Sequence, residues 1–266
     1  MALKNGVLIL VAHADDTEFL AGGAVARFAA EGHEIVEAIA TDNSRGTFEL
    51  TPERIIGQSR EEAREAARIL GKKEVVFLDY SDGMLSDTPL NELREKFMRL
   101  IRRYRPRIVM TLDPFAPFET HPDHRQVALA ATEAVAFGHM PLFHPEHRQE
   151  GLEPHLVAET YFFAKDTSLC NKYIDIGPFI EKKIEALCAH DSQMKLTIDD
   201  LRLALVAIGA KEEVVKTLDR NNYQPLIDLY ARIYAKDLGR KAGCEYAEAF
   251  RCELAGGPVA ALARGV

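Results

Sequence analysis

The sequence has no Lys/Arg block, no CxxC pair and no apolar stretch approaching the roughly 18 residues of a membrane span. With a formal net charge of -8, the first absence disfavours nucleic acid and an anionic membrane surface as partners. The four cysteines, Cys170, Cys188, Cys244 and Cys252, have spacings that fit neither a zinc knuckle nor a small disulfide scaffold, and they read as core or surface thiols. Met1 to Gly6 is too short for a secretory signal before the first strand, so a cytoplasmic location is expected. No repeat, low-complexity tract or Ser/Gly-rich linker divides the chain. No GxGxxG follows the first strand, which weakens a nucleotide-binding reading.

What is present suffices for a full core, with 266 residues of which 47% are hydrophobic. Val7 to Val11 is a β-branched and aliphatic run too short for a helix, and it reads as a central parallel strand covered on both faces. It ends abruptly in His13, Asp15 and Asp16. In open α/β sheets ligands bind at the carboxyl ends of strands where the strand order switches. No Lys or Arg lies between Lys4 and Arg27, so one imidazole and two carboxylates there form an anionic pocket that a divalent metal would resolve.

The same strand-and-helix unit recurs four times. The strands are Val7 to Val11, His33 to Ala40, Glu74 to Leu78 and Arg107 to Leu112. The helices between them end at Gly32, at Gly71 and before Pro106. This is the pattern of a doubly wound sheet with right-handed crossovers. Strands are also expected at Val157 to Ala164 and Tyr173 to Ile176. From Leu196 the pattern reads as helical almost to the end, which predicts one domain with a core over about 1–195 and a helical extension over about 196–266. That apolar extension makes a homo-oligomer plausible.

Two clusters have metal-ligand spacing. His13-x-x-Asp16 offers a nitrogen and an oxygen within one turn, and His121-Pro-Asp-His124 offers two imidazoles around a helix start. Either imidazole completes a three-ligand site with an open position, as a catalytic zinc requires. The bland alternative is that Asp15 and Glu18 form a capping-box-like helix start and the two histidines are surface groups. A His2Asp set also describes the facial triad of non-haem iron oxygenases, but alternating strands and helices argue against the all-β barrels usual for that class. His144 and His147 repeat the HPxH look without a strand exit before them, and read as loop or surface residues.

At these residues the chain resembles the LmbE-like, or PIG-L, family of zinc-dependent de-N-acetylases. The matching pieces are AHADD at Ala12 to Asp16, Asp82-Gly83, HPDH at His121 to His124 and HDSQ at His190 to Gln193. The resemblance implies a Rossmann-like, mostly parallel sheet and one zinc per chain held by His13, Asp16 and His124. It further implies Asp15 as general base, His121 as oxyanion-stabilising imidazole, and Arg60, Asp82 and His190 as substrate contacts. Three departures stand out: Ala14 replaces the usual proline, the Thr41 to Gly46 loop lacks a glutamate, and Glu119 stands where some members carry tyrosine.

The expected chemistry is attack of zinc-activated water on an amide carbonyl, with Asp16 on the metal and Asp15 on the water. A protonated His121, held by Asp123, would then donate to the oxyanion. The expected substrate is an N-acetylglucosamine-type amino sugar or conjugate. The alternatives are a metal-dependent hydratase or lyase acting on a small unsaturated acid, and a non-enzymatic protein with a closed, four-ligand structural metal.

Overall fold

The computed structural model describes residues 2–257 and 259–260. In chain order the first half runs β1 (Val7–Val11), α1 (Asp16–Ala30), β2 (Ile35–Thr41), α2 (Pro52–Leu70), β3 (Glu74–Tyr80), α3 (Leu90–Tyr104), β4 (Ile108–Leu112) and α4 (Pro122–Phe137). There follow a short α5 (Glu146–Gln149), β5 (Glu159–Phe163), β6 (Lys172–Asp175), α6 (Ile180–Ala189), α7 (Asp191–Ala207), α8 (Glu212–Val215), α9 (Gln224–Ala242) and β7 (Ala247–Leu254).

The seven strands form one sheet in the order β3-β2-β1-β4-β5-β7-β6. β1 pairs in parallel with both β2 and β4, and the pairings β2·β3 and β4·β5 are also parallel. The chain therefore reverses its winding direction between β1 and β4, and a crevice opens beyond their carboxyl ends. β1, β2, β4 and β5 are buried at every position, which is why they read as near-continuous apolar runs. The fold is the α/β, Rossmann-like, mostly parallel sheet expected.

The helical reading from Leu196 onward is met by α7, α8 and α9 with turns between them, and fails beyond Ala242. Gly243 ends α9 with φ 74, and the chain returns as β7, antiparallel to both β5 and β6. Pairing with two strands outweighs the local helix-like composition of AEAFRCEL. Gly71 closes α2 as expected, at φ 81, and the turn it allows delivers Lys72 beneath the sheet. There Lys72 meets Glu37, the one charged residue of the buried β2, at 2.7 Å.

The turn from α9 into β7 depends on a close backbone approach. A Cβ on Gly239 would lie 2.8 Å from the Cys244 carbonyl oxygen and nearer still to that of Glu245. Backbone cannot swing aside as a side chain can, so Gly239→Ala should destabilise the fold by about 1–3 kcal/mol. Urea unfolding measures it, and an unchanged midpoint would contradict the packing described.

Candidate active site

Three elements deliver the site. The bend after β1 brings His13 and Asp15 to the rim, the first turn of α1 carries Asp16, and the loop leaving β4 ends in His121 as N-cap of α4. They line one side of a cavity of about 660 Å3.

Asp15 sits at the N-cap position of α1, yet its side chain makes no capping bond. Glu18, the other half of the supposed capping box, turns inward to Lys72 at 2.7 Å. The capping-box account of this motif is therefore not what the structure shows. Asp16 is held tightly: its Oδ2 accepts from the N–H groups of Ala12 (3.1 Å) and His13 (2.9 Å). Its Oδ1 faces His124 Nε2 at 3.1 Å. His13 Nδ1 lies 3.2 Å from the same His124 nitrogen and 3.8 Å from Asp16 Oδ2. Two imidazole nitrogens this close to each other and to a carboxylate need a shared proton or a cation between them. A mixed set of two nitrogens and one oxygen suits a first-row divalent metal, so these residues fit the expected ion. Donor atoms of His13, His121 and His124, and of His13, Asp82 and Asp123, also lie within 4.8 Å of one another.

Carboxylates orient both imidazoles from behind, as they do around metal-ligating histidines. His13 Nε2 lies 3.3 Å from Asp82 Oδ1 and 3.4 Å from Asp123 Oδ2. His124 Nδ1 lies 3.1 Å from Glu119 Oε2, and Glu119 Oε1 accepts the N–H of His121 at 2.9 Å. Glu119 thus braces two histidines of the motif, a role no spacing argument revealed.

The charges follow from these contacts. Burial lowers the His13 pKa, but Asp123, Asp16 and Asp82 outweigh it and raise the group well above its usual range. Burial pushes Asp16 up, and His124 and His13 bring it well below the ordinary carboxylate range. Asp15 goes the other way, raised by burial and by the Asp16 charge, with His190 and His13 opposing. Two adjacent aspartates are thereby separated in character. His121 is lowered by burial and by the neighbouring His13 and His124.

Some expected residues occupy other places. Asp123 does not hold the His121 side chain; its carboxylate accepts from the N–H groups of Gly83 (2.6 Å) and Leu85 (3.1 Å), pinning the loop after β3. What Asp123 gives His121 is its own N–H, donated to Nδ1 at 3.2 Å. Asp82 lines the cavity, but one oxygen faces His13 and the other accepts the Arg45 N–H. Arg60 lies outside the cavity, paired with Asp79 and set over the Phe77 ring. His190 is fully buried behind the site, 3.5 Å from Glu18 Oε2. His147 is buried rather than on the surface, with Nε2 at Glu95 (2.7 Å) and Nδ1 at Arg102 (3.0 Å), so neither nitrogen is open to a metal. The cavity lining also includes Lys165, Asp200, Tyr230 and Tyr234, residues the sequence reading passed over.

Beneath the site lies a buried ionic cluster. Lys72 Nζ donates to Glu18 and Glu37 at 2.7 Å each, and all three side chains are excluded from solvent. Burial would raise the Glu18 carboxyl, but Lys72 and His190 hold it at about 2, below the ordinary 4.5. A carboxyl depressed on folding contributes its full stability above pH about 4.5 and loses it as the pH falls towards 2. Lys72→Met leaves two buried carboxylates without their cation and should cost about 3–5 kcal/mol at pH 7, and less at pH 3. Urea unfolding at the two pH values checks this, and an equal or absent loss would count against the cluster.

Comparison with known proteins agrees with this geometry. A family model described as PIG-L, GlcNAc-PI de-N-acetylase, matches residues 8–135. Diacetylchitobiose deacetylase of Thermococcus kodakarensis is 31% identical over 247 residues, 92% of this chain and 82% of that protein. A deacetylase of 1D-myo-inositol 2-acetamido-2-deoxy-alpha-D-glucopyranoside from Mycobacteroides abscessus is 28% identical, over 75% of this chain and 85% of its own length. Among solved structures, N,N'-diacetylchitobiose deacetylase from Pyrococcus horikoshii superposes with a TM-score of 0.76 and 28% identity, covering 94% of this chain and 84% of that one. The chain belongs to the PIG-L family.

Proposed function

We propose that this protein is a zinc-dependent amide hydrolase that removes an N-acetyl or other small acyl group from an N-acetylglucosamine-type sugar or conjugate. The observation that carries the reading is the close triangle of His13, Asp16 and His124 with the Asp15 side chain uncapped beside it, in a cavity large enough for a sugar. The named relatives, which are deacetylases of acetylated amino sugars, support the same class. His13, Asp16 and His124 would hold a divalent cation, which would supply a Lewis acid and make water nucleophilic at neutral pH.

The remaining steps belong to the chain. Asp16 is fixed by the N–H groups of Ala12 and His13 and cannot swing to take a proton from water, whereas the Asp15 side chain makes no capping bond to α1. Asp15 therefore accepts the proton of the attacking water and returns it to the departing amine. His121 has Nδ1 occupied by the Asp123 N–H, so its Nε2 bears the proton and donates to the oxygen that gains charge. A ring nitrogen that accepts an N–H carries no proton, so this donor is a neutral imidazole where a protonated one was expected, and burial with the neighbouring His13 and His124 lowers its pKa in the same direction.

The hydratase alternative is not favoured. 4-Carboxy-2-hydroxymuconate hydratase GalB from a Pseudomonas has the same architecture at a TM-score of 0.66, but with 20% identity it speaks for the fold alone. The cytoplasmic location is part of the same proposal, supported by the four free thiols. So is a homo-oligomer, supported by the exposed Leu203 and Val206 of α7 and Ile208 just after it.

The two aspartates provide the test. Asp15→Asn should keep its metal while kcat falls about 10²- to 10⁴-fold. His121→Ala should behave like it, and Asp16→Ala should lose metal and activity together. Metal stoichiometry and acetate release from N-acetylated amino sugars measure both. Metal loss in Asp15→Asn with retention in Asp16→Ala would reverse the assignment.

A further inference from the structure

We propose that Glu119 governs how tightly this site holds its cation, by keeping the proton of His124 on Nδ1 and so leaving Nε2 open to the metal. Glu119 is a positioning residue on this account, since it acts through His124. The inference rests on the metal reading above and extends it to the loop that joins β4 to α4.

The two nitrogens of His124 face different carboxylates. Nε2 lies in the triangle, 3.1 Å from Asp16 Oδ1 and 3.2 Å from His13 Nδ1. Nδ1 is buried and makes no aligned hydrogen bond, and Glu119 Oε2 stands 3.1 Å from it. A neutral imidazole carries one proton, and the nitrogen that keeps it cannot bind a metal. Asp16 competes for that proton at Nε2. Without Glu119 the ring would face one carboxylate, on the side where a proton blocks the metal. With Glu119 an acceptor stands at the other nitrogen as well, and the metal-binding tautomer is favoured.

The backbone around Glu119 is held accordingly. Phe118 before it has φ 61, a left-handed conformation that disfavours a bulky residue, and its side chain is 92% exposed, so burial does not offset the strain. Such a conformation persists only where its surroundings over-determine it. Here Glu119 Oε1 accepts the His121 N–H at 2.9 Å, and Arg125 Nη1 donates to the carbonyls of Glu119 at 3.2 Å and Thr120 at 2.7 Å. Lys165 Nζ is 3.9 Å from Oε1 on a side chain that is 69% exposed, so it balances charge without fixing the carboxylate.

Glutamine is the discriminating substitution. A carboxylate offers acceptors to the His121 N–H and to His124 Nδ1–H together, whereas an amide has one oxygen and must present its NH2 to one of them. With the oxygen kept by the His121 N–H, the NH2 faces His124 Nδ1 and drives the proton to Nε2.

The test is the zinc affinity of the full chain, measured by competition with a chromophoric chelator, alongside urea unfolding of the chelator-treated protein. In Glu119→Gln the zinc Kd should rise about 10- to 100-fold, while the unfolding midpoint without metal stays at the wild-type value. A Kd within about 2-fold of wild type would overturn the proposal. So would a rise accompanied by a lower midpoint without metal, which is what a merely structural role produces. A wild type that takes up no zinc would overturn the metal site and this proposal together. One that binds zinc but releases no acetate would overturn the assigned reaction alone, and the comparison of zinc affinities would still decide the role of Glu119.

Discussion

The carboxylate of Asp16 joins the two halves of the site. One oxygen is tied to the N–H groups of Ala12 and His13, and the other faces His124 on a helix that begins more than a hundred residues later. A carboxylate so buried is stable only as the partner of donors and cations. Its position therefore requires β1 and β4 to lie side by side, because only their shared rim brings α1 and α4 within reach. Separation of the two aspartates follows from the same contact. With Asp16 immobilised and strongly anionic, Asp15 is left with a raised affinity for protons and no part in capping α1.

Support for this contact comes from the segment with the least evident chemistry. β7 reaches back across the sheet, and Arg251 grips Asp113 at the start of the loop that leads to His121, with bonds of 2.7 and 2.9 Å. On the same strand, Glu248 accepts from the N–H groups of Gly23 and Ala24 inside α1, while its ion-pair partner Lys183 donates to the Phe19 carbonyl oxygen. One strand thus braces both α1, which carries Asp16, and the loop that leads from β4 to His121. Bidentate pairing of Arg251 makes this a directional restraint rather than a diffuse attraction.

Much of this was legible in the sequence. A short run of buried aliphatics ending in HADD, and a second strand whose exit loop reads HPDH, required only strand periodicity and the rule that ligands bind where strand order switches. β7 was not legible, since its alanines and glutamates suit a helix and its strand character comes from partners far away in sequence. The resemblance offered Arg60 as a substrate contact, and a charged helix gives no sign of which arginine instead faces a neighbouring strand end, here Asp79. The role of Glu119 and the partner of Asp123 were hidden for a related reason. A carboxylate near two histidines has several possible partners, and only the fold chooses between a side chain and a backbone N–H.

The account depends on a metal-held hydrolytic site, and the most direct measurement is acetate and free-amine release from N,N'-diacetylchitobiose before chelation, after chelation, and after zinc is returned. The account predicts equal amounts of acetate and amine from the metal-loaded protein, loss of both on chelation and recovery of both with zinc. Release that is indifferent to chelation, or a zinc-loaded protein that leaves the acetamido group intact, would contradict it.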